Sequence, residues 1–140
     1  MLIDKKLVKE KSSYMFEEFL ENNKAYKSIA YFRRSPAAWL LMLKIMEYYH
    51  SDKHLFIEKL TNEIPYQVSS RQSIFTIIDT ATKNGFLEKK STNGDRRKKE
   101  IVPSQSFINE YKEWLMSFSS QLSDKKKNEK EQKQKQSNTD

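Results

Sequence analysis

Helical periodicity along most of the chain and an Asn-Gly step between two short extended runs predict a mainly α fold with a small β-hairpin. A third observation agrees: the two glycines and three prolines among the 140 residues all fall at element boundaries. The length suits one domain with a single core.

A first helix is expected from about Ser13 to Arg33. Phe16, Phe19, Asn23, Tyr26 and Ala30 recur at alternating steps of three and four, which aligns them on one stripe. Ser35-Pro36 starts a second helix, because serine is a favoured N-cap and proline at the first helical position loses no intrahelical hydrogen bond. That helix, Pro36 to His50, carries Trp39, Leu40, Leu41, Met42, Leu43, Ile45 and Met46, so it is expected at the centre of the core. Met42 and Met46 read as core filler. A short third helix, Lys53 to Glu63, ends before Pro65.

Ser69-Ser70-Arg71-Gln72 then reads as a capping box, with Ser69 as N-cap. The fourth helix runs to Asn84 with Ile74, Ile77, Ile78 and Ala81 inward, and Gly85 terminates it. Phe86 to Ser91 and Arg96 to Val102 flank Thr92-Asn93-Gly94-Asp95, a hairpin signal. Pro103-Ser104 opens a fifth helix to about Leu122, with Ile108, Tyr111, Leu115, Phe118 and Leu122 on one stripe and Phe107 and Trp114 beside it. Ser123 to Asp140 holds no apolar residue and is expected to be a disordered Lys/Gln-rich tail. The domain plan is a single domain over 1–122.

A short helix, a turn, a second helix with polar residues at its start and a two-stranded wing form a winged helix-turn-helix, the architecture of a major-groove reader. The formal net charge of +7 supports a polyanionic partner, because much of the surplus falls in one stretch. Lys83, Lys89, Lys90, Arg96, Arg97, Lys98 and Lys99 stand there against only Glu88 and Asp95. With the isoleucines inward, Gln72, Thr76, Asp79 and Lys83 project from the fourth helix, Ser69, Ser73 and Thr80 lie on one flank, and Arg71 and Phe75 on the other. Arg71 and Gln72 have the donors for guanine and adenine edges. Ser70, Ser73 and Thr76 suit phosphate or adaptable base contacts. Asp79 repels phosphate, so the N-terminal half should do the reading. Arg96 and Arg97 lie where a wing reaches the minor groove, and Lys89, Lys90, Lys98 and Lys99 line the strands for phosphates.

These features together resemble the multiple-antibiotic-resistance regulator (MarR) family. Ser73 to Lys90, with Asn84-Gly85 and Phe86-Leu87-Glu88-Lys89-Lys90, is similar to that family's helix, Lys-Gly, Leu-Val-Glu-Arg pattern. Asp95-Arg96-Arg97 matches its Asp-Arg-Arg wing motif, and Ser104 stands where the family has Thr. The resemblance implies that Asp95 steadies Arg97 in the minor groove. It also implies a homodimer formed by the N- and C-terminal helices, and a small aromatic or phenolic ligand in a cleft beside them, which Tyr31, Phe32, Trp39 and Tyr48 are placed to line unless they are ordinary core. The chain departs from the pattern where Ser73-Ile74-Phe75 replaces Thr-x-Thr, where Phe75 either meets a thymine methyl or packs on the wing. It departs again where Lys98-Lys99-Glu100 replaces an apolar strand, which suggests a more solvated wing, and in having room for one C-terminal helix instead of two. Within this plan the DNA-binding lobe is 53–103 and the dimerisation helices are 13–33 and 104–122. Asn23 sits at a seam position, and the aromatic surface of Phe107, Tyr111, Trp114 and Phe118 exceeds what the protomer's core needs.

The expected function is therefore sequence-specific double-stranded DNA binding by a homodimeric transcriptional regulator. The alternatives are a winged-helix protein-interaction adaptor and a non-specific nucleic-acid-binding protein. Without cysteine there is no disulfide or thiolate chemistry. No Ser-His-Asp order, phosphate loop or Cys-His pair marks an enzyme, and no cofactor is expected. His50 and His54 read as solvated histidines, Glu58 being the nearest third ligand. Glu17, Glu18, Glu110 and Glu113 read as solvent-facing carboxylates. MLIDKKLVKEKSS lacks the apolar run of a signal peptide, and Ala37 to Met46 is too short to span a bilayer, so a cytoplasmic protein without a membrane partner is expected.

Overall fold

In the computed structural model of the chain, the elements run helix, helix, helix, helix-turn-helix, hairpin, helix. The structure describes residues 4–92 and 95–120, with only the backbone described at 92 and 95–98. The Asn93-Gly94 step and the tail after residue 120 lie outside the described residues.

The single N-terminal helix is in fact two. α1 spans Lys5–Ala25 and α2 spans Lys27–Phe32, separated by Tyr26 in an extended conformation. A carboxylate from the other end of the chain stabilises this break. Ser28 donates from both its backbone N–H and its hydroxyl to Glu110 Oε1, at 3.3 and 3.1 Å. Free N–H groups at a helix start require such an acceptor. Glu110 thus caps α2 and is not the solvent-facing carboxylate expected.

α3, Pro36–His50, starts as expected: the Ser35 hydroxyl accepts from the Ala38 N–H, 3.1 Å away. Ala38, Leu41, Met42, Ile45 and Met46 are buried against Ile29, Phe32, Leu60, Ile78 and Phe107, which makes α3 the centre of the core. It ends with Asp52 in the left-handed region (φ 55), where the Lys53 N–H donates to Tyr48 O at 3.1 Å. No glycine marks this stop in the sequence.

α4 is short, Ile57–Glu63, because residues just before it join the hairpin instead. The Ile101 N–H donates to Leu55 O at 2.8 Å, and Phe56 forms a β-bridge with Glu100. After a turn at 66–68, α5 spans Arg71–Lys83. Its N-cap is Ser70, one residue later than expected, with the hydroxyl accepting from the Ser73 N–H at 3.2 Å. Its C-terminus follows the glycine signal. Gly85 has φ +80, its N–H donates to Thr82 O, and the Phe86 N–H donates to Ala81 O at 2.9 Å.

β1, Leu87–Thr92, pairs antiparallel with β2, Asp95–Pro103. Leu87 lies opposite Pro103 and Lys89 opposite Ile101, and Leu87, Ile101 and Pro103 are buried. Alternation therefore turns Lys89 inward and Lys90 outward. The hairpin base is thus packed, despite the charged run that suggested a solvated wing. α6 follows over residues 105–120, with the Ser104 hydroxyl accepting from the Phe107 N–H at 3.3 Å.

Candidate nucleic-acid interface

The reading surface expected from the sequence is assembled by α4, α5 and the hairpin. Ile74, Ile77, Ile78 and Ala81 are buried, which leaves Ser70, Arg71, Gln72, Ser73, Thr76 and Asp79 exposed on one open face. Ser69 and Phe75 are half-buried at its edges. Lys90 and Lys99 are exposed on the strands. Asp95, Arg96, Arg97 and Lys98 lie on β2 by backbone position, and their side chains are outside the described residues.

Two of the expected readers are already engaged. Arg71 Nη2 donates to Glu58 Oε1 at 2.8 Å, and the guanidinium carbon lies 5.6 Å from the Phe75 ring centre. Phe75 thus supports Arg71. Lys89 donates to Asp79, joining β1 to α5. The Asp79 charge is therefore partly offset, and Lys89 is less available to a phosphate than Lys90. Thr76 donates to Gln72 O at 3.0 Å, a local bond that leaves its oxygen free to accept.

α5 is held from behind. The buried Tyr31 hydroxyl donates to Ile77 O at 2.6 Å, and the Tyr31 ring meets Phe32 and Phe86 at 5.0 and 5.5 Å between centres. Burial, the largest influence, raises the Tyr31 pKa, so its hydroxyl stays protonated. Tyr31, Phe32 and Tyr48 are thus core residues. Trp39 lines an open cavity of ≈ 420 Å³ with Phe19, Arg33, Arg34, Ser35 and Pro36.

α1 packs on the protomer by its more polar side and leaves the apolar stripe outward. Leu7, Lys11, Tyr14, Glu18 and Asn22 turn toward the protomer, whereas Val8, Met15, Phe16, Phe19 and Leu20 are exposed, Phe16 by 66%. Glu18 is therefore buried, contrary to expectation. It accepts from Arg33 Nη2 at 2.7 Å, from Trp114 Nε1 at 2.6 Å and from Asn22 Nδ2 at 3.0 Å. Arg33 sits near the rings of Phe19, Trp39 and Trp114 at 5.1, 5.3 and 5.0 Å. Burial alone would raise the Glu18 pKa, but these hydrogen bonds and the Arg33 charge together hold it below the usual carboxylate value. Asn23 Oδ1 accepts from Arg33 Nη1 at 3.4 Å within the protomer. Phe107, Tyr111 and Trp114 of α6 are also buried in the protomer, which removes the excess aromatic surface expected there.

His50 Nδ1 lies 2.9 Å from Met46 O, and His54 Nδ1 lies 2.8 Å from Glu100 Oε1. Among the described residues no cluster of metal-binding side chains forms. None of the described helices is long and apolar enough to cross a membrane.

No protein-family model and no curated protein matches the sequence. Solved structures do match. A heme sensor protein, PefR, in complex with heme and carbon monoxide superposes with a TM-score of 0.52 at 17% identity, covering 83% of this chain and 76% of that one. Heme-free PefR gives 0.52 at 17% identity over 82% of this chain and 95% of that one. A MarR protein from Peptoclostridium difficile gives 0.49 at 17% identity over 98% and 90% of the two chains. Identities this low show the fold alone, and the fold shared with PefR is a winged helix-turn-helix, mainly helical with a two-stranded antiparallel hairpin.

Proposed function

We propose that this chain is a transcriptional regulator that binds double-stranded DNA as a homodimer and selects sequences through α5. One observation carries the reading. The polar N-terminal face of α5 is open, and it stands beside a hairpin whose sequence concentrates basic residues. Under this reading Ser70, Arg71, Gln72, Ser73 and Thr76 enter the major groove with Ser69 and Phe75 at the edge. Arg96 and Arg97 reach the adjacent minor groove, Asp95 steadies Arg97, and Lys90, Lys98 and Lys99 meet phosphates.

The unpartnered apolar row on α1 supports dimerisation. Met15, Phe16, Phe19 and Leu20, with Leu115 and Met116 of α6, form exposed apolar surface that a second copy would cover. The cleft of Phe19, Arg33, Arg34 and Trp39 is where an aromatic effector of the kind implied by the resemblance would sit.

A salt-titrated gel-shift assay on random duplex DNA tests the function. If a dimer neutralises about eight phosphates, log affinity falls with log salt at a slope of roughly −7. Absence of binding even at low salt overturns the reading in favour of a protein-interaction adaptor. Binding to every sequence alike favours a non-specific DNA-coating protein.

A further inference from the structure

On the DNA-reading function proposed above, we infer that Glu58 is a positioning residue that aims Arg71 at a guanine. Arg71 opens α5, and Glu58 lies in the first turn of α4, thirteen positions earlier. The two helices of the helix-turn-helix are thereby joined through the side chain best suited to a base edge. A free arginine samples many rotamers, and a specific contact must overcome that lost entropy. Here the guanidinium is held at two points: Glu58 Oε1 lies 2.8 Å from Nη2, and the Phe75 ring centre lies 5.6 Å from the guanidinium carbon. Arginine has five N–H donors, so one bond to Glu58 leaves others for a two-point contact with guanine.

The location of the pair distinguishes this role from a stabilising one. Both side chains are more than half exposed, at 58% and 70%, where an ion pair contributes little to folding. A carboxylate on a DNA-facing surface also weakens phosphate attraction. Glu58 therefore lowers general affinity while sharpening Arg71. Its loss moves the two quantities in opposite directions, which a merely electrostatic or structural residue does not do.

The test is selection from a randomised duplex pool by the full-length protein and by Glu58→Ala, Glu58→Gln, Arg71→Ala and the Glu58→Ala/Arg71→Ala double variant. Circular dichroism melts establish that each variant is folded. The wild type enriches guanine at one position of each half-site, and Arg71→Ala loses that enrichment. Glu58→Ala lowers it by about fivefold or more, while affinity for random duplex stays equal or rises. Glu58→Gln, which keeps an acceptor oxygen, falls between. The double variant matches Arg71→Ala. Glu58→Ala with undiminished guanine preference overturns the inference, as does a wild-type motif that Arg71→Ala leaves unchanged. A wild type that binds no duplex overturns the DNA-reading function itself, and this inference with it.

Discussion

Arg33–Glu18 and Arg71–Glu58 are ion pairs of nearly equal length, 2.7 and 2.8 Å, placed in opposite surroundings. The first has both side chains almost wholly out of water, and Asn22, Trp114 and the rings of Phe19 and Trp39 complete its shell. The second stands in solvent at the mouth of the helix-turn-helix. A buried pair is costly to break, because removing one partner leaves an uncompensated charge. An exposed pair is cheap to break, so its consequences fall on what its members do next. The difference separates two jobs. The Glu18 cluster ties α1 to the α2–α3 junction and α6, fixing which face of α1 is presented outward. The Glu58 pair leaves the fold alone and constrains one reading side chain.

The largest expected effect comes from breaking the buried pair. Arg33→Met leaves the Glu18 carboxylate unpaired and should cost about 3–5 kcal/mol of stability in urea unfolding. Adding Glu18→Leu to it should recover much of that loss, since a well-packed apolar pair replaces a buried ion pair at little cost. By contrast, Arg71→Ala should change stability by less than about 0.5 kcal/mol.

The apolar face that the buried pair orients should be equally sensitive, in a different measurement. Phe16→Glu should shift the protein from dimer to monomer in sedimentation velocity and leave the protomer's helical content unchanged.

A pH titration tests the buried pair more finely. The folded Glu18 pKa is lowered, so its contribution to stability is complete above the ordinary carboxylate value of 4.5 and is lost as pH falls through the folded value. Glu18→Gln should therefore flatten the acid limb of the stability profile, measured by urea midpoints from neutral pH downward.

Two smaller effects test the ends of the reading helix. Ser70→Ala removes the N-cap and should cost about 1 kcal/mol, whereas Ser69→Ala should cost much less. Gly85→Ala meets no neighbouring atom within 4 Å, so its cost should be the left-handed backbone alone, about 1–2 kcal/mol.

The contrast also explains what the sequence disclosed. α5 and the hairpin were legible because their signals are local. Isoleucines at helical spacing, serines at the start and Gly85 at the end act within one turn of themselves. The N-cap fell on Ser70 instead of Ser69 because two adjacent serines offer the same chemistry. Glu18 and Glu110 were misread because each meets a partner far along the chain: Trp114 is 96 positions from Glu18, and Ser28 is 82 from Glu110. Periodicity placed Phe16, Phe19 and Asn23 on one stripe of α1, but Tyr26 and Ala30, read on the same stripe, lie beyond the helix because the chain turns extended at Tyr26. It could not show that the protomer packs on the opposite, more polar stripe, since that choice depends on Arg33 and Trp114. Residue type and position make Arg71 a candidate reader, but its tether to Glu58 depends on how α4 meets α5.

The account rests most on α5 selecting sequence while the basic wing supplies general affinity. Its most direct test compares binding of wild type, Arg71→Ala and Lys90→Ala to a selected site and to random duplex at fixed salt. Arg71→Ala should weaken the selected site by about 1–3 kcal/mol and bring it toward the random duplex. Lys90→Ala should weaken both alike and reduce the salt slope by about 1. Equal weakening of both DNAs by both substitutions would contradict it.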